Sequence, residues 1–415
     1  MKKKYLIIIG FVMFGSLCLL NFKLNNGSTK NIIGVYVNDE YSDNVPAKDS
    51  GYYVDKIECD NGSFGEWDYT NWGLLTTNMN KKSKCNVYFE EDAITNLIKD
   101  ELDTTGKCPT VNSDGSVNVT SAESENSLLC SAPDNYGTSY YFRGNVSNNY
   151  VYFAGFYWRI VRINGDNSIR IIYDGTTIHE NGEASDDRII GTSAFNEKAD
   201  DNAYVGYMYG TPGSSTYEET HANINDSTIK KYVDNWYENN IKDTDYEQYL
   251  ADNLFCNDRN ISNYNPSNLS NLGYGKNNTV YERAFGPWSA PSDTNNARMT
   301  FLCKKIDDSF TKNSVVGNTS LKYAVSLLSK DELVLSGQYS FGSGTKRNYL
   351  YVGNSYWLIS PDAYDNDGTK VRLVKSDGEQ YEPVNKLAGV KPVINLKQGS
   401  LKSGKGTKDN PYKTN

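Results

Sequence analysis

Histidine is almost missing from this chain. Two residues among 415, His179 and His221, leave little imidazole for a zinc site. No C-x-x-C pair occurs either, so the cysteines do not read as a zinc knuckle. The signatures G-x-S-x-G, H-E-x-x-H and G-x-x-x-x-G-K-[ST] are absent, which removes the local marks of a nucleophile elbow, a zincin helix and a phosphate-cradling loop. Positive charge is in deficit. The 42 Lys and Arg against 51 Asp and Glu leave a formal charge of −9, a surface that repels a phosphate backbone and argues against nucleic acid as a partner. Hydrophobic residues are also sparse, at 38%. Against that, 33 tyrosines and 14 phenylalanines supply the large buriable side chains that disordered chains lack.

Only one long apolar run exists. MKKK is followed by the uncharged stretch Tyr5 to Phe22, long enough at 1.5 Å per residue to cross most of a bilayer of about 30 Å. The lysines ahead of it place the N-terminus in the cytoplasm. No A-x-A cleavage pattern follows, and Leu17 stands where lipidation of Cys18 would need a small residue. The run therefore reads as an uncleaved signal-anchor within residues 1–23, with the bulk of the chain outside the cell membrane. Cysteine usage agrees with export. Six cysteines beyond Cys18 form an even set, and closing the nearest loops pairs Cys59 with Cys85, Cys108 with Cys130 and Cys256 with Cys303.

Composition then divides the chain. Residues 24–50 are polar and read as a stalk with one short strand at Asn31 to Val37. Residues 51–134 read as a small cysteine-rich β module carrying one helix near Ile94 to Leu102 and a loop tied by Cys108 and Cys130. From 135 to 400 a larger head follows, and residues 401–415, rich in Lys and Gly, read as a flexible tail. Within the head, Phe156 to Gly175 reads as a hairpin turned at Asn164 to Asn167. Its apolar residues occupy both parities of the first strand, which fits a central strand covered on both faces. Arg159 and Arg162 then either reach the rim or pair with carboxylates. A helix is expected over Asp226 to Asn240, and a second, short one behind the capping box Ser329 to Glu332, with Gly337 ending it.

Five motifs stand in a telling order: YWRIVRI (Tyr157 to Ile163), STIKKYVDNW (Ser227 to Trp236), LLSKDEL (Leu327 to Leu333), YWLISP (Tyr356 to Pro361) and GVKPVINL (Gly389 to Leu396). The set resembles a domain family of unknown function in surface proteins of Gram-positive bacteria. That family is similar to the C-type-lectin-like fold in the version used by formylglycine-generating enzymes. The resemblance covers roughly Gly137 to Leu396. It implies an α+β head of mixed, mostly antiparallel strands with a few helices, and irregular loops that display a ligand surface. It does not imply the enzyme's chemistry here. Those relatives bind copper through a late cysteine pair, and no cysteine follows Cys303. The calcium motifs of sugar-binding lectins are broken too: Glu382-Pro383-Val384 replaces E-P-N, and W-N-D is absent.

Candidate sites are few. His179-Glu180 is the one histidine–carboxylate neighbour pair, but adjacent residues in an extended segment point apart. No catalytic residue and no cofactor follow from the sequence, with calcium the single cofactor to consider. Asp362, Asp365 and Asp367 precede Gly368 and offer oxygen ligands, although their spacing is not that of an EF-hand and a hydrated turn explains them as well. Tyr349, Tyr351, Tyr356 and Tyr364, with Asp365 and Asp367, form the expected ligand surface for an extracellular glycan or protein. The functional expectation is a membrane-anchored recognition or adhesion protein without turnover. A structural subunit of a pilus-like assembly is the first alternative, and an enzyme on the formylglycine-generating scaffold the second.

Overall fold

The computed structural model describes residues 5–6, 32–48, 50–69, 71–78, 83–119, 127–263, 272–285, 298–338, 348–375 and 378–414. The fold is mostly β with few helices, 14% helical and 38% strand. The expected membrane anchor lies outside the described residues, apart from Tyr5–Leu6, which form a two-residue strand beside Leu75 and Thr76. Among the described residues no helix is long and apolar enough to cross a membrane. The chain divides into two compact units, Met1–Leu97 and Ile98–Asn415.

In the smaller unit, β1 (Ile32–Val37), β2 (Glu40–Ser42), β3 (Tyr52–Cys59), β4 (Phe64–Asp68), β5 (Gly73–Thr77) and β6 (Lys84–Glu91) follow one another before α1 (Ala93–Lys99), whose span contains the division. One sheet has the order β2-β1-β6-β3, with β1 and β6 parallel, and β4 and β5 form a hairpin. Residues expected to be stalk thus supply an inner strand. The reason is alternation: Ile33, Val35 and Val37 all pack in the cluster of Trp67, Trp72, Leu74, Val87 and Phe89. Trp67 meets Trp72 and Phe89 edge-to-face at 5.5 and 5.1 Å. Cys59 and Cys85 are directly opposed on β3 and β6 and are joined by a disulfide.

The larger unit contains β7 (Leu128–Asp134), β8 (Gly137–Arg143), β9 (Tyr150–Phe153), β10 (Phe156–Ile163), β11 (Ile169–Gly175), β12 (Thr192–Ala194), α2 (Thr228–Asn240), β13 (Thr279–Val280) and β14 (Val325–Ser326). After these come α3 (Lys330–Leu335), β15 (Tyr356–Asp365), β16 (Gly368–Lys375), β17 (Gly378–Pro383), β18 (Leu387–Gly389), β19 (Val393–Leu396) and β20 (Tyr412–Lys413). A first sheet runs β7-β8-β10-β11-β19-β14, with β9 added to β10 and β20 to β9. A second runs β12-β18-β15-β16-β17, with β13 added to β15. Among the described strands the chain passes between the sheets four times, from β11 to β12, β13 to β14, β14 to β15 and β18 to β19, and the first and last of these crossings run beside each other through Ile190 N–H to Val390 O and Val390 N–H to Gly191 O.

The hairpin of β10 and β11 lies inside the first sheet, as its two-parity pattern predicts, and every residue of β11 is buried. Its turn closes through Asn164 N–H donating to the Ser168 carbonyl at 2.8 Å, with Asn167 at φ 65°. The cap of α2 is Ser227, which accepts from Lys230 N–H, and the helix buries Ile229, Val233 and Tyr237. Ser329 and Glu332 form the full capping box of α3.

Two boundaries differ from those read in composition. The segment from Cys108 to Cys130 belongs to the larger unit, because Val117 and Val119 are buried with Tyr141, Met299 and Phe301. Its Cys108–Cys130 bridge forms, as does Cys256–Cys303. The described part of the expected flexible tail 401–415, residues 401–414, is packed: Tyr412, 6% exposed, sits in β20, which pairs in parallel with β9. A lysine- and glycine-rich sequence looks mobile, but its one aromatic anchor and a strand partner fix it.

Candidate functional site

Several charged side chains lie among the apolar residues inside the larger unit. Arg162 donates from Nη1 to Asp134 at 2.7 Å and from Nε to Glu332 at 3.1 Å, and Arg170 Nη1 reaches the same Glu332 oxygen. Arg159 lies 3.8 Å from the Tyr150 ring centroid and donates to Asn149 Oδ1 at 2.7 Å. Both Arg159 and Arg162 are therefore interior groups, and the rim reading is set aside. Burial pulls the Glu332 carboxyl upward, but Arg170, Arg162 and the Ser329 N–H outweigh it and hold the group down at about 2.

The β15–β16 hairpin has a tip that borders an open basin of about 560 Å³. The basin is lined by Lys198, Asp200, Tyr364, Asn366, Asp367 and Asn385, with the backbone of Ala199 and Gly368 between them. The tip turns because Asp365 Oδ1 accepts from Asp367 N–H at 3.0 Å and Gly368 takes φ 95°. A Cβ at 368 would stand 2.5 Å from the Ala199 carbonyl oxygen, so glycine is required twice over. Next to it, Thr369 N–H donates to that carbonyl at 2.8 Å, and Thr369 Oγ1 donates to Asp201 O at 2.6 Å. These bonds seat the 198–200 segment against the hairpin tip. Val384 N–H donating to Thr369 O at 3.0 Å brings Asn385 alongside.

The expected tyrosine surface does not form. Tyr349 and Tyr356 are 0% exposed, Tyr351 7% and Tyr364 8%. Tyr349 donates to Phe142 O at 3.3 Å and Tyr356 to Leu350 O at 3.1 Å. Burial pushes both phenols well above their ordinary range. These are core rings with satisfied hydroxyls. Only Tyr364 reaches the basin, donating to Asp200 O at 3.4 Å. The three calcium candidates also part company. Asp362 is buried against Arg372 Nη2 at 2.5 Å. Asp365 and Asp367 share the Lys370 ammonium at 2.7 and 3.3 Å. Arginine and lysine stand where a metal would have to gather these oxygens, and no cluster suited to a metal occurs among the described residues.

His179 faces Glu183 and Asp187 rather than Glu180, with Nδ1 3.0 Å from Glu183 Oε1 and Nε2 2.7 Å from Asp187 Oδ1. Asp187 also accepts from the N–H groups of Thr176 and Thr177 at 3.1 Å each, so the cluster ties two turns together. Lys198, Asp200 and Asn385 were missed in the sequence, since no local pattern marks them. No protein family, no curated protein and no solved structure matches this chain. Fold and site define a disulfide-bridged α+β protein of two units, the larger bearing a polar basin at a rigid hairpin tip.

Proposed function

We propose that this chain is a membrane-anchored extracellular recognition or adhesion protein, whose larger unit takes a C-type-lectin-like arrangement and binds a glycan or protein ligand without turning it over. The basin at the β15–β16 tip carries the reading. Its exposed carboxylates, amides and ammonium alternate donors with acceptors, the chemistry that holds hydroxyl-rich or polar peptide ligands. Its walls are pinned by backbone bonds, which limits the ordering lost on binding. Three disulfides favour an oxidising compartment. A self-assembling subunit is less favoured, because the edge strand β17 carries Glu382 and ends at Pro383, features that blunt an edge.

The test is array binding of the full chain to glycans and extracellular proteins, with calcium and with chelator. The reading expects capture in both conditions and its loss in Asp200→Ala combined with Asp367→Ala, two exposed changes that leave the core intact. Capture that survives the double substitution places the contact elsewhere. Absence of any capture refutes the recognition reading.

A further inference from the structure

Two of the four crossings between the sheets, β11 to β12 and β18 to β19, meet at a buried group of charges. Lys391 lies in the link from β18 to β19, and Arg188 in the 3-10 turn Asp186–Arg188 between β11 and β12. Asp174 comes from β11 and Arg159 from β10. None of the four side chains is more than 2% exposed. Asp174 Oδ1 accepts from Arg188 Nε at 3.0 Å and Nη2 at 2.7 Å, and lies 3.6 Å from Lys391 Nζ. Its Oδ2 is 3.9 Å from Arg159 Nη1 and accepts no hydrogen bond among the described residues. Three cationic side chains thus converge on a single carboxylate. The other titratable groups facing them are the phenols of Tyr150, Tyr349 and Tyr356, which carry no compensating negative charge. Glu183, beyond Arg188, is half exposed and engaged with His179.

A buried excess of like charge is costly, and arginine does not give up its proton. Lysine does. We propose that the joint between the two sheets is a proton-sensitive latch, closed when Lys391 is a neutral amine and loosened when that amine takes up a proton. The closed form keeps its geometry with a neutral amine, since Nζ donates to the Arg188 carbonyl at 3.0 Å. Burial, opposed by Asp174 and reinforced by Arg188, pushes the Lys391 amine down to about 7. Opening the joint to water returns it to the ordinary lysine range of about 10.4. Between these values the open form holds a proton that the closed form lacks. Opening is therefore suppressed about tenfold for each pH unit gained above 7, and below 7 it stays at its maximum.

Three backbone bonds report on the joint: Ile190 N–H to Val390 O at 2.9 Å, Val390 N–H to Gly191 O at 3.0 Å and Tyr173 N–H to Pro392 O at 2.9 Å. Amide hydrogen exchange of the full chain between pH 7 and 9, corrected for the intrinsic rate, measures their opening. In the wild type their protection should rise about fiftyfold over that range. In Lys391→Met it should be high and flat, and in Lys391→Arg low and flat. Amides at the β15–β16 tip, from Ala363 to Lys370, serve as the control and should not follow the lysine. A wild-type profile without slope, or the same slope in Lys391→Met, overturns the latch. If neither variant folds, the 13Cε shift of Lys391 in the wild type decides. A midpoint near neutral upholds the proposal, and an ammonium signature persisting to pH 9 overturns it.

Discussion

Glu332 ties two buried guanidiniums to the cap of α3, and its loss has a calculable effect. One carboxylate oxygen takes Arg162 and Arg170, and the other takes Ser329 N–H and Oγ at 3.0 and 3.1 Å. The residue is 4% exposed. Its carboxyl lies at about 2 against an ordinary 4.5, which corresponds to about 3 kcal/mol of stability at neutral pH. The folded group releases its proton more readily than the unfolded one. That contribution is therefore complete above about 4.5 and is lost as pH falls toward 2. Glu332→Gln keeps the shape and removes the charge, leaving two buried guanidiniums short of a partner. Breaking a buried pair costs about 3–5 kcal/mol. Denaturant unfolding at pH 7, following the transition of the larger unit, should show that loss. The gap to wild type should narrow steadily between pH 4.5 and pH 2. A Gln variant within about 1 kcal/mol of wild type at pH 7, or a gap that ignores pH, refutes the reasoning.

Gly368→Ala should destabilise the hairpin tip by about 1–3 kcal/mol, because a left-handed backbone and a 2.5 Å approach to Ala199 O both exclude a Cβ, and thermal melting would read it. Tyr349→Ala should cost about 3–5 kcal/mol in denaturant unfolding, as for a core ring, whereas a surface ligand contact would cost almost nothing. Millimolar calcium should leave the melting temperature unchanged, since Lys370 and Arg372 occupy the carboxylates of Asp365, Asp367 and Asp362; a rise of several degrees would show a site that binds the folded form.

How much of this was legible in the sequence depends on the distance between partners. The disulfides close the nearest loops, and the capping box lies within four residues, so both could be read directly. The central hairpin announced itself through apolar residues on both parities. The buried charges could not be read this way: Arg162 and Glu332 are 170 residues apart, and an arginine among isoleucines looks the same at a rim as in a core. The basin was half visible. Asp367 and Tyr364 stood out beside a glycine, but Asp200 comes from 164 residues before Tyr364. The other tyrosines were misplaced because an aromatic cluster near an acidic turn has the composition of a binding face and, here, the burial of a core.

The account depends on the polypeptide beyond Phe22 working in an oxidising space. Native protein should be alkylated in its own cells before any reduction and then mapped by mass spectrometry. The account predicts that Cys59, Cys85, Cys108, Cys130, Cys256 and Cys303 stay unlabelled and are recovered as the three bridged pairs. Alkylated thiols at those six positions would contradict it.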